Sequence, residues 1–113
     1  MARRPVLENA VMNALWDQDG WLTPSQVRAR MTQQIAPTTI GTVLTRLQHK
    51  GRVERRPRGK AYQYRPTQTR EEYVAAQMDS ALGSSHDRSV ALLEFIDRLP
   101  DDDRSFLRRI LRS

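Results

Sequence analysis

Cysteine is absent from this 113-residue chain, which removes disulfides, zinc ribbons and thiolate chemistry at once and suits a reducing compartment. Histidine is scarce: His49 and His86 lie too far apart to form a local metal pair, so neither metal nor cofactor is expected. No apolar run approaches the ~18 residues that a bilayer-spanning helix needs, and the N-terminus lacks the apolar core of a signal peptide. A cytoplasmic protein with no membrane association is the expectation. No nucleophile–base pairing, metal-ligand spacing or phosphate-cradling glycine loop can be found, so no enzyme is expected. The acidic run Asp101-Asp102-Asp103 has a simpler reading than metal binding, since acids favour the positive end of a helix dipole.

What the chain does hold is positive charge, unevenly shared. Residues 1–67 carry 12 Lys/Arg against 4 Asp/Glu, whereas residues 68–113 carry 7 against 9. The first part is therefore strongly basic and the second slightly acidic, a division that separates a module meeting a polyanion from a module with another task. The densest stretch is RRPRGKAYQYRP, residues 55–66, where Arg55, Arg56, Arg58, Lys60 and Arg65 crowd around an Arg-Gly-Lys turn. Mutual repulsion at that density costs stability unless an anionic partner is met.

Start and stop signals divide the chain into elements. Leu7, Val11, Ala14 and Leu15 form one stripe of a helix over residues 6–18, ended by Asp19-Gly20. Trp21-Leu22 is read as a minimal strand. Thr23, Pro24 and Gln26 supply an N-cap, an N1 proline and a capping-box partner for a second helix, which buries Val27 and Met31 and ends near residue 32. A third helix opens at Pro37 and stops at Gly51. Short extended segments on either side of the Arg58-Gly59-Lys60 turn then make a hairpin closed by Pro66. Tyr62 and Tyr64 share one face of it and are expected to pack over the helices, and Trp16 and Trp21 are likewise expected in the core. Thr69-Arg70-Glu71-Glu72 is a second capping box, opening a helix to about residue 82. A fifth helix covers residues 87–99, and a sixth follows Pro100.

At 100° per residue, Val43, Leu44 and Leu47 fall within about 60° of Ile40 on the third helix and make with it the core stripe. Thr38, Thr42, Thr45 and His49 occupy the opposite side, flanked by Thr39 and Arg46. Threonine is a poor helix former, but its hydroxyl can meet base edges or phosphates and its methyl can touch a thymine methyl. A helix-turn-helix followed at once by a basic hairpin is a winged helix, whose second motif helix enters the major groove while the wing follows the backbone. Thr38, Thr39, Thr42, Thr45 and Arg46 are thus expected to face DNA, with Arg55, Arg56, Arg58 and Lys60 meeting phosphates. A winged helix serving protein–protein assembly is the alternative, and it would require apolar residues on that exposed face.

The second part reads as a dimerisation region. Val74, Met78 and Leu82 mark one side of its first helix. Leu92, Leu93, Phe95, Ile96 and Leu99 give the next an apolar surface too broad for one face of a lone helix. Phe106, Leu107, Ile110 and Leu111 add another stripe, and so short a segment cannot bury all of these within itself. The expected architecture is mainly α with a small β-wing, divided into residues 1–67 for DNA binding and residues 68–113 for dimerisation.

Three stretches, ENAVMNALW, APTTIGTVLTRLQHKGRVERRPRGKAYQYRP and TREEYVAAQM, resemble the penicillinase-repressor (BlaI/MecI) family of bacterial transcription regulators. The resemblance covers nearly the whole chain and is most specific over residues 37–66. It implies a winged helix with C-terminal dimerisation helices, a homodimer on double-stranded DNA at an inverted-repeat operator, and repression of β-lactamase or related genes. It also implies that Thr38, Thr39, Thr42 and Arg46 lie on the DNA-facing side, with residues 58–60 as the wing. The chain departs from the pattern at Asn9, where many members carry tryptophan. It also lacks the C-terminal cysteine motif of copper-responsive relatives, which argues against metal sensing. A sensor metalloprotease cuts some relatives within the dimerisation helices, and the corresponding place here is near Glu94-Phe95.

Overall fold

A computed structural model of the chain describes residues 3–112, which divide into two compact units between Tyr73 and Val74. The first unit begins with helix α1 (Arg3–Trp16), followed by α2 (Pro24–Ala29) and α3 (Pro37–His49). Strands β1 (Val53–Arg58) and β2 (Ala61–Pro66) come next, and the helices α4 (Arg70–Gly83), α5 (Arg88–Arg98) and α6 (Asp101–Arg112) follow. This is the winged helix-turn-helix with C-terminal helices that the sequence predicts.

Local chemistry accounts for most boundaries. The Thr23 hydroxyl accepts from Gln26 N–H (3.3 Å) while Gln26 Oε1 accepts from Thr23 N–H (2.9 Å), closing the expected capping box on α2. That helix is shorter than predicted, because Arg30 already caps it and Arg28 donates through Nε to Ile35 O, folding the link back toward α3. Met31 and Ile35 are thereby pressed against the core from the link. At the end of α3, Gly51 N–H reaches Gln48 O and Arg52 N–H reaches Leu47 O, the paired bonds of a Schellman motif. Gly51 holds φ +76°, a left-handed conformation that a side chain would strain. At the wing tip Gly59 has φ +60° and Lys60 a negative φ, the pattern of a type II′ hairpin turn.

The hairpin is antiparallel, with Val53 opposite Pro66 and Arg58 opposite Ala61. Trp21-Leu22 contributes one bridge rather than a strand: Leu22 and Tyr64 exchange N–H···O bonds of 2.9 and 2.7 Å. Around this junction sits one core, built from Val11, Met12, Ala14 and Leu15 of α1, Val27 of α2, and Ile40, Val43, Leu44 and Leu47 of α3. Leu22, Val53 and Tyr64 close it from the sheet side. Burying each large aliphatic side chain contributes about 1.5–3 kcal/mol, and together they fix the rotation of α3, hence which face it turns outward.

The first unit extends past residue 67, where charge alone placed the boundary. Tyr73 stacks on Trp16 (ring centroids 5.5 Å apart) and receives the Arg52 guanidinium on its ring at 4.1 Å. Arg70 pairs with Asp17 at 2.8 Å, so the first turn of α4 belongs to the winged helix by packing.

Thr69 and Glu72 form the predicted capping box of α4, and in the second unit the Asp87 carboxylate caps α5 through Val90 N–H. Three aspartates open α6, and Arg109 and Arg112 lie in its last turn, matching the dipole at both ends. No described residue of α4, α5 or α6 is buried.

Candidate nucleic-acid interface

The rotation imposed by the core leaves Thr38, Thr42 and Thr45 exposed along one face of α3. Thr42 donates its hydroxyl hydrogen to Thr38 O (3.0 Å) and Thr45 to Gly41 O (2.9 Å). With their hydrogens spent on the helix backbone, these side chains offer oxygen lone pairs and methyl groups to a partner. Thr39 lies half-buried on the flank and does not line the same surface.

A concave cleft runs between this face and the hairpin. Thr38, Gly41, Thr42, Thr45, Arg46, His49 and Lys50 line it from α3, and Arg55, Tyr62 and Tyr64 from the wing. Arg55 lies over the Tyr62 ring at 4.2 Å, which holds its guanidinium on the cleft side. The two tyrosines do share a face, but only Tyr64 reaches the core, at 4% exposure. Tyr62, two residues nearer the wing tip, stands 42% exposed in the cleft. Arg58 and Lys60 project from the hairpin tip, exposed and outside the cleft.

Sequence reasoning missed the acid on which this surface rests. Glu8 of α1 is only 5% exposed and its carboxylate receives Lys50 Nζ at 2.9 and 3.1 Å. Arg46 Nη1 lies 3.9 Å from the same carboxylate. The available signal was helical spacing: Glu8 lies on the stripe of Val11, Met12 and Leu15, where a carboxylate must find a cation.

The opposite face of the hairpin carries a different arrangement. Trp21, expected in the core, is instead half-buried on that face with the Arg56 and Arg65 guanidiniums over its ring at 4.5 and 4.4 Å. Arg56 also donates to Gln63 Oε1 at 2.9 Å, and Arg65 pairs with Glu54. Arg56 is therefore engaged within the fold, unlike Arg58 and Lys60. Trp16 does pack against the core, and its indole N–H donates to Gln68 O at 2.9 Å.

In the second unit, Val74, Met78, Leu92, Leu93, Phe95 and Ile96 are all exposed, as are Phe106, Ile110 and Leu111 of α6. Leu82, Leu99 and Leu107 are half-buried. Met78, Leu82, Leu92 and Phe95 line an apolar groove between α4 and α5. Among the described residues, no helix is long and apolar enough to cross a membrane, and no group of His, Asp or Glu could hold a metal ion.

A winged helix with a threonine-lined, cationic cleft defines a class of nucleic-acid-facing modules. The chain belongs to the penicillinase-repressor family of transcription regulators, whose sequence profile, described as penicillinase repressor, matches residues 6–113. Two relatives, each named transcriptional regulator BlaI, come from Mycobacterium tuberculosis strains CDC 1551 / Oshkosh and ATCC 25618 / H37Rv. Each is 37% identical over 110 residues, covering 93% of this chain and 80% of the relative.

Proposed function

We propose that the protein is a homodimeric, sequence-specific transcriptional repressor that binds an inverted-repeat operator. In this reading α3 enters the major groove, presenting Thr38, Thr42, Thr45 and Arg46 to base edges, while Arg58 and Lys60 of the wing meet the phosphate backbone. The observation that carries it is the cleft itself. A helix face bearing threonines and Arg46, rather than apolar side chains, stands beside a basic hairpin whose tip cations are exposed. That composition disfavours a protein-binding winged helix. Dimerisation through α4, α5 and α6 is supported by the absence of any buried described residue in them, alongside their many exposed aliphatic and aromatic side chains. A second copy of the same surface would take these out of water, and a two-fold dimer suits a palindromic site. The protein acts in the cytoplasm, on the nucleoid when bound. A sensor protease cutting near Glu94-Phe95 would relieve repression by severing α5. The test is a fluorescence-anisotropy titration of duplex DNA across salt. Contacts to ~6–10 phosphates should lower affinity by about 10³–10⁵-fold between 50 and 200 mM. No binding at the lower concentration would reject the proposal.

A further inference from the structure

A buried carboxylate paired to two cations of a surface meant for a polyanion needs a reason. Glu8 presents both oxygens to Lys50, and Arg46 stands one helical turn before Lys50 on the same face of α3. The acid is sheltered, its side chain 6% exposed, while the Lys50 side chain stays 51% exposed and that of Arg46 27%. Both cations line the cleft, and Glu8 offsets part of their charge there. Fastening α1 to α3 would take one such pair; here two cations, both at the DNA-facing surface, gather on a single acid.

The consequence follows from how affinity and specificity divide. Binding to arbitrary duplex is driven by cations releasing counterions from phosphates, whereas sequence is read by side chains held against base edges. A cation already paired with a buried carboxylate adds less to the first term, and its fixed direction favours the second. We propose that Glu8 is a positioning residue for DNA recognition, one that restrains Arg46 and Lys50 so that the cleft prefers its operator over other duplexes. This rests on the operator-binding reading above.

Glu8→Gln, Glu8→Asp and Lys50→Gln in the full-length protein test it. The probes are the duplex that the wild-type protein enriches from a randomised pool and a scrambled version of it, each titrated across salt. Glu8→Gln should tighten binding to the scrambled duplex roughly 3–10-fold at 100 mM salt, steepen the salt slope by about 0.9 per protomer, and reduce operator preference. Glu8→Asp keeps the charge and should keep the wild-type slope. Lys50→Gln removes a cation of the cleft and leaves Glu8 to Arg46, so it should flatten the scrambled-DNA slope by about 0.9 per protomer and also reduce operator preference. A merely structural Glu8 would instead weaken both duplexes together when replaced. That result, an unchanged slope in Glu8→Gln, or an operator preference left intact by Lys50→Gln would overturn the proposal. If Glu8→Gln does not fold, as judged by its thermal melt, the operator preference of Lys50→Gln decides. Failure of the wild-type protein to bind any duplex would instead overturn the operator reading itself.

Discussion

Thr42 and Thr45 spend their hydroxyl hydrogens inside α3, which limits what they can say to a base. In the operator-binding reading they accept and they touch; they do not donate. Thr42→Ala removes the methyl and the lone pairs together, and it should lower operator preference by about 1–3 kcal/mol with little change in affinity for scrambled DNA, as read by competition anisotropy. Arg46→Ala is a less clean probe, because it also removes one of the cations near Glu8. Gly51 makes a separate claim about the same helix. Nothing lies within 4 Å of where its Cβ would stand, so the cost of Gly51→Ala is backbone alone. With φ at +76°, that cost should be about 1–2 kcal/mol in a denaturant titration with an unchanged m-value.

Between elements, the proposed recognition is divided between α3 and the hairpin. The helix is held by four buried side chains, Ile40, Val43, Leu44 and Leu47, so its outward face is rigidly aimed. The wing tip is held by a two-residue turn and carries its charge on long side chains in water. Replacing Arg58 and Lys60 together by Gln should therefore weaken operator and scrambled DNA alike, and flatten the salt slope by about 2 per protomer. Equal loss of preference from the α3 and wing variants would refute the division. Arg56 is expected to behave differently from both, since it stacks on Trp21 and bonds Gln63. Its removal should lower the melting temperature more than DNA affinity.

At the scale of the molecule, the two units differ in kind: one has a core, the other has exposed apolar helices. The full-length protein should sediment as a dimer, and a fragment of residues 1–76 as a folded monomer that binds DNA weakly. Joining two winged helices makes the second half-site contact intramolecular, so the fragment should lose about 10²–10⁴-fold in operator affinity. A fragment ending at residue 68 should melt lower than one ending at 76, because it loses the Arg70–Asp17 pair and the stacking of Tyr73 on Trp16. A full-length monomer in sedimentation would refute the dimer.

The sequence by itself determined what depends on neighbours within a turn or two of chain. Thr23 and Gln26, Thr69 and Glu72, Gly51 and Gly59 each act through bonds or dihedrals a few residues away, so caps, stops and the wing turn were legible from spacing. The stripe of α3 was legible for the same reason, and with it the threonine face opposite. What only the tertiary structure decided depends on where the chain returns. Glu8 meets Lys50 across 42 positions, and Trp21 meets Arg56 and Arg65 because Leu22 pairs with Tyr64. Tyr62 and Tyr64 have identical parity, yet the helices cover only one of them. Periodicity assigns a side chain to a face; how far the neighbouring element extends over that face is set by packing between distant segments, which no local spacing encodes.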